Sequence, residues 1–239
     1  MREIVGSRRK FSLWRGTRQP LLRAALAFAT EWQWPVLPGV GLQPGRARGR
    51  LAAPPLRELA GYGRQRACGC PHPDCVVPGG HPFDPGLLAA STDPRMVRWW
   101  WANRPAAPVI LATGGRAPCA VSLPAVVGAR ALATFDRFGV RTGPVVATPT
   151  RWSLLVAPYS LEELGELLNR QAWVPSSLRF HGDGGYVALP PSQTGAGRVC
   201  WERAPQRRGG APWLPEVATV LDALVEASTC APDGSRLAY

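Results

Sequence analysis

Apolar positions fall into short blocks, separated by glycine and proline, that switch between helical and strand spacing. After Pro20, which suits a first helical turn, Leu21, Leu22, Ala25, Leu26 and Phe28 form one apolar face. WPVLPGV then reads as a short buried strand. Thr92-Asp93-Pro94 predicts a helix start with Thr92 as N-cap, and the helix runs through MVRWWWANR to stop at Pro105. Trp99, Trp100 and Trp101 cannot all face one way on a helix, so at least one should be exposed or cover a sheet edge. Core packing is their ordinary role, and a stacking platform for bases is the alternative.

PVILATG (108–114) and CAVSLP (119–124) read as strands, and AVVGARALATFDRF (125–138) as an amphipathic helix closed by Gly139. PVVATPT and RWSLLVAP make a strand pair around a turn at 148–150. Ser160 and Glu163 form a capping box that opens a helix through Trp173. LRFHGDGGYVALPPS has the pattern of a hairpin turning at 182–185, RVCWER adds a strand, and 214–228 a last helix. Helices alternating with strands predict an α+β domain (an α/β mixed sheet) around one sheet.

The 239 residues allow one sizeable domain with appendages, and 26 glycines with 26 prolines imply many turns. Net charge is +12 and pI about 10.6. An arginine surplus favours polyanions, because each phosphate contact releases counterions, so nucleic acid is the first partner to consider. A basic tail without a specific target is the alternative. Residues 1–18 carry Arg2, Arg8, Arg9, Lys10, Arg15 and Arg18 against Glu3 alone, a basic flexible arm. From 41 to 66 a polar, arginine-studded loop follows, with a brief helix near 56–60. The expected division is an arm (1–18), a domain (19–205) and a linker with a C-terminal helix (206–239). No stretch reaches eighteen apolar residues and Arg23 interrupts the N-terminal apolar run, so no membrane association and a cytoplasmic protein are expected. Cys119, Cys200 and Cys230 lie in apolar sequence and read as reduced core or near-surface thiols.

CGCPHPDCVVPGGH, residues 68–81, holds three of the six cysteines and two of the three histidines between helix-breaking residues. Cys68, Cys70, Cys75 and His81 can close a tetrahedral structural Zn2+ site, with His72 as the competing fourth donor. So turn-rich a segment cannot bury a core of its own, and a metal would supply the cross-link. A clustered-thiol loop or a disulfide is the weaker alternative.

These motifs, in this order, resemble the N-terminal domain of bifunctional DNA primase/polymerases, members of the archaeo-eukaryotic primase superfamily. The resemblance covers about residues 21–203. It rests on the opening helix with WPVLPG, on CGCPHPDCVVPGGHP where the family has a cysteine-rich segment ending Gly-Lys-His-Pro, and on TDPRMVRWWWANRP. It continues in the strand running into ATGG and in GDGGYVALPPS, similar to the family's Gly-Tyr-Val-Val-Ala-Pro-Pro-Ser signature. The chain looks especially like short actinobacterial members without a helicase domain. The resemblance implies a primase/polymerase-like core, a small zinc-knuckle insert (68–82), a role in DNA replication and a two-metal nucleotidyl-transfer site.

That chemistry needs carboxylates to hold both ions. The family's acid pair maps onto Ser122 and Pro124, and its third acid onto about Arg179. Across 94–161 the only carboxylate is Asp136, placed on a helix. The family's basic or imidazole residue falls near 152–154, with Arg151 the nearest candidate. His181 near Asp183 is a weaker acid–base pair, and ATGGRAP has phosphate-loop glycines without the Lys-Ser/Thr. The expectation is a catalytically inactive, zinc-bearing module that binds nucleic acid (DNA ahead of RNA) or nucleotide through Arg151, Arg179 and His181. The alternatives are an active primase/polymerase using Mg2+ or Mn2+ through unrecognised ligands, and a regulatory scaffold for a protein partner.

Overall fold

The computed structural model describes residues 19–44, 66–206 and 210–229. The expected arm at 1–18, nearly all of the arginine-rich loop and Cys230 lie outside these described residues. α1 (Pro20–Leu26) passes into a π-helical turn (Ala27–Glu31) and β1 (Val36–Pro38). β2 (Leu42–Pro44) and β3 (Arg66–Cys68) form an antiparallel ribbon. α2 (Pro94–Asn103) and β4 (Val109–Ala112) lead to β5 (Cys119–Pro124) and α3 (Ala125–Arg137). Then come β6 (Val145–Ala147), β7 (Arg151–Val156), α4 (Leu161–Asn169), β8 (Arg179–His181) and β9 (Tyr186–Leu189). The ribbon β10 (Gln193–Thr194) and β11 (Gly197–Arg198), β12 (Cys200–Arg203) and α5 (Val217–Thr229) complete the described order.

The α+β class stands, with two main sheets where one was expected. One is ordered β1-β4-β9 and the other β12-β6-β7-β5-β8, every pairing antiparallel. The difference arises at the expected hairpin. β8 pairs with β5 and β9 with β4, so the turn at 182–185 carries the chain from one sheet to the other. Thr113, just beyond β4, holds that turn: its N–H donates to the Gly185 carbonyl at 3.0 Å and its hydroxyl to the Gly182 carbonyl at 2.7 Å. Gly114 has φ +93°, and a Cβ there would lie 2.3 Å from Asp183 Cα, so only glycine lets the two turns meet.

Alternation along β5 explains the two cores. Cys119, Val121 and Leu123 face α3, α4 and α5, packing with Phe135, Leu164, Leu221 and Leu224. Ala120 faces the other way, into a core shared with Phe28, Trp32, Trp34, Trp100, Trp101, Ile110 and Leu189. Burying each large apolar side chain contributes about 1.5–3 kcal/mol. Of the three consecutive tryptophans, Trp100 and Trp101 are buried and Trp99 is 61 % exposed. Ser192, fully buried, accepts a hydrogen bond from Val109 N at 2.8 Å, so the Pro-Pro-Ser signature secures the start of β4.

Asp93, rather than Thr92, caps α2: its carboxylate accepts from Arg95 N at 2.8 Å, directly before Pro94 in the first turn. α4, capped by Ser160 as expected, ends at Asn169 rather than near Trp173. Ala172 and Trp173 are exposed, so no core contact offsets the entropy of another turn. Cys119 is buried, but Cys200 is exposed because it lies on the edge strand β12. Among the described residues, no helix is long and apolar enough to cross a membrane.

Candidate functional site

Two neighbouring features hold the residues singled out by sequence. The first is the cysteine segment. β3 delivers Cys68 opposite Leu42, and the turns that follow bring Cys70, Cys75 and His81 back to it. The four donor atoms lie within 4.8 Å of one another. His81 Nε2 is 3.3 Å from Cys68 Sγ and 3.4 Å from Cys75 Sγ. His81 Nδ1 lies 2.8 Å from the Pro82 carbonyl. An N–H at Nδ1 donates to it and leaves the Nε2 lone pair for the thiol cluster, the arrangement that orients ligating histidines. His72 meets the cluster through its carbonyl, 3.8 Å from Cys70 Sγ.

Burial opposes ionisation of Cys68, but hydrogen bonds from the Gly79 and Cys70 N–H groups and from the Cys70 and His81 side chains outweigh it and bring the pKa down to about 6. Burial, reinforced by Cys68 and Cys70, pushes Cys75 up to about 11. A first thiolate is favoured and a second resisted until a cation enters. Three thiolates and one neutral imidazole fit Zn2+, whereas Mg2+ and Ca2+ take oxygen donors. The segment is anchored on both sides: Val40 N donates to the His81 carbonyl at 2.9 Å, and Gly195 N to the Pro78 carbonyl at 2.7 Å.

The second feature is a groove on the face of the five-stranded sheet turned away from α3, α4 and α5. Register sets its floor: Ser122 stands between Ser153 on β7 and Arg179 on β8, Pro124 opposite Arg151, and Ala120 opposite His181. A cavity of about 320 Å3 lies above, lined by Ser122, Ser153, Arg151, Arg179 and His181, by Tyr186, Val187 and Ala188 of β9, and by Val77 and Gly80 of the cysteine segment. The sequence had not shown that β9 and the cysteine segment would wall this groove, because neither neighbours β5 along the chain.

Arg151 reaches across β5. Its Nη2 donates to the Ser122 carbonyl (2.9 Å), the Ser177 carbonyl (2.8 Å) and the Ser122 hydroxyl (3.3 Å), while its buried Nε has no partner. Burial, and then Arg179, lower its pKa. His181 Nε2 is 3.0 Å from Ser122 Oγ. Burial, then Arg151 and Arg179, push its pKa down to about 4, so the ring is neutral near pH 7. With Arg151 donating to Ser122 Oγ, the hydroxyl proton goes to His181 Nε2 and the ring proton resides on Nδ1.

His181 therefore pairs with Ser122 and not, as the sequence had allowed, with Asp183, which packs against Gly114 outside the cavity lining. The ATGG turn is no phosphate loop at Thr113 and Gly114, whose N–H groups donate to Gly185 and Pro118 carbonyls. Asp136 is 2.5 Å from Arg203, elsewhere on the molecule. Among the described residues, no Asp or Glu lines the groove. Ser122, Pro124 and Arg179, where the resemblance led acids to be expected, offer a hydroxyl, a proline and a guanidinium, which do not fit a pair of catalytic Mg2+ or Mn2+ ions.

A family model described as bifunctional DNA primase/polymerase, N-terminal, matches residues 25–217. No curated protein and no solved structure matches the chain.

Proposed function

The chain belongs to the bifunctional DNA primase/polymerase N-terminal family, and on that premise we propose that it is a non-catalytic, zinc-bearing member that binds nucleic acid or nucleotide, DNA ahead of RNA. One observation carries the reading: Ser122 and Arg179, the positions where the resemblance would put acids, stand in register on neighbouring strands, and among the described residues no carboxylate lines the groove above them. Cys68, Cys70, Cys75 and His81 would hold one Zn2+ as a cross-link, with no position left for substrate. Arg151, Arg179 and His181 are the proposed contacts within the groove. The basic arm (1–18) and the arginines of 46–66 would add sequence-independent phosphate contacts. Residues 19–205 serve as the binding unit in this reading, with 206–239 as an appended linker and helix.

The test is binding of a short labelled DNA at low and then rising salt, beside a primer-synthesis and extension assay with Mg2+ or Mn2+. Salt-sensitive binding without synthesis is the expected result. Undetectable binding at low ionic strength sinks the proposal. Synthesis that disappears on replacing a particular carboxylate would establish the active alternative, and a stoichiometric protein partner captured free of nucleic acid would favour a regulatory scaffold.

A further inference from the structure

Among the described residues, no carboxylate lines the groove to offset its positive charge. Arg151 is half-buried, every acceptor it has is neutral, all are reached through Nη2, and Nε is left unpartnered. Withdrawing a guanidinium from water without a counter-charge is costly, and an anion is what relieves the cost. Arg179 adds a second guanidinium on the same face, on the strand paired to Ser122. His181 contributes a neutral ring whose Nε2 is engaged by the Ser122 hydroxyl, leaving Nδ1–H as a donor.

We infer that Arg151, Arg179 and the Ser122–His181 pair form a site that takes a terminal phosphate (a phosphate monoester on a nucleotide or at the 5′ end of a DNA strand) directly and without a divalent cation. The inference rests on the non-catalytic reading of the groove and names its ligand. A monoester dianion matches two guanidiniums in charge, and its tetrahedral oxygens can meet two forks that arrive from different strands. A backbone diester carries one charge, and a planar carboxylate presents its oxygens in one plane. The cavity of about 320 Å3 exceeds what a lone phosphate fills, and Val146, Val187 and Ala188 supply an apolar side for a sugar or base. A divalent cation placed between these guanidiniums would meet repulsion where the family's acids would have given ligands.

The experiment titrates the zinc-loaded full chain with four probes: one DNA oligonucleotide carrying a 5′-phosphate, the same strand with a 5′-hydroxyl, a deoxynucleoside monophosphate, and inorganic phosphate. Each is measured with excess Mg2+ and in Mg2+-free buffer, the zinc content being checked throughout. The 5′-phosphorylated strand should bind more tightly than its hydroxyl twin, and Mg2+ should leave binding unchanged or weaken it. Arg179→Ala should cost roughly ten- to a hundredfold in that preference, with Arg179→Lys intermediate. Arg179 is exposed, so these variants leave the fold intact, whereas Arg151 also holds the Ser122 and Ser177 carbonyls. Monophosphate binding as tightly as the strand assigns the site to nucleotides, and preference for the strand assigns it to DNA ends. A requirement for Mg2+, equal binding of the two strands, or indifference to Arg179→Ala overturns the inference while leaving general DNA binding in place. No binding of any probe overturns the proposed function as well.

Discussion

The cysteine segment and the groove are neighbours with opposite histories of construction. The first draws all four donors from residues 68–81 and needs only turns to bring them together. The second is assembled from β5, β7, β8 and β9, and exists only through strand register. The cysteine segment has donors suited to a cation. The groove, lined by Arg151, Arg179 and His181, has groups suited to an anion. The difference shows that two sites of opposite preference can sit side by side in one fold. β8 is held to β5 by main-chain pairing between 120–122 and 179–181, which a side-chain exchange at Arg179 leaves alone.

The contrast can be broken most forcefully at the metal end. Cys70→Ser or Cys75→Ser should release zinc and lower stability by on the order of 3 kcal/mol or more. Metal content and thermal melting measure it, and unchanged values of both would remove the zinc assignment. Next in size is Arg179→Asp, which sets a carboxylate where it can meet Arg151. Phosphate binding should vanish while melting holds or rises by up to about 1 kcal/mol; a marked fall would mean that Arg151 is already compensated.

A further effect should appear with acid. His181 is held neutral by burial and by the charges of Arg151 and Arg179, with a folded pKa of about 4 against about 6.5 when unfolded. The unfolded chain binds the proton first, so this group's contribution is complete above pH 6.5. It is lost as pH falls toward 4 and is flat below. His181→Gln should flatten that part of the stability profile, and an identical profile would dismiss His181 as its source. The mildest test joins the two regions. Gly80, which stands where the resemblance would put a lysine, lines the groove, and a Cβ there would lie 3.1 Å from Thr194 Cγ2. Gly80→Lys should cost under about 1 kcal/mol and tighten phosphate binding, as read by melting and titration; weaker binding would show that the added charge misses the groove.

Legibility followed the same division. The strand at 119–124, the capped helix at Ser160 and the donor cluster were readable because each is set by neighbours in sequence. The route at 182–185 was not. A glycine turn between two apolar runs has the same local pattern whether the runs pair with each other or with different sheets. The lack of acids was plain from composition between 94 and 161, but the partnership of Ser122 with His181 needed the register of β8. Asp93 displaced Thr92 as cap for a more local reason: with Pro94 occupying the first helical position, the cap is the residue directly before it.

The cysteine segment is tied to the chain just beyond β1 through Val40 and His81 and to the β10–β11 ribbon through Gly195 and Pro78, and between those ties it lends Val77 and Gly80 to the cavity wall. A metal held by the cysteine segment and a ligand pressing against this wall would therefore belong to one thermodynamic cycle. Whatever factor zinc contributes to affinity in the groove, an occupant of the groove must return to the affinity for zinc. With both sites filled, two ions of opposite sign would hold each other in place without touching.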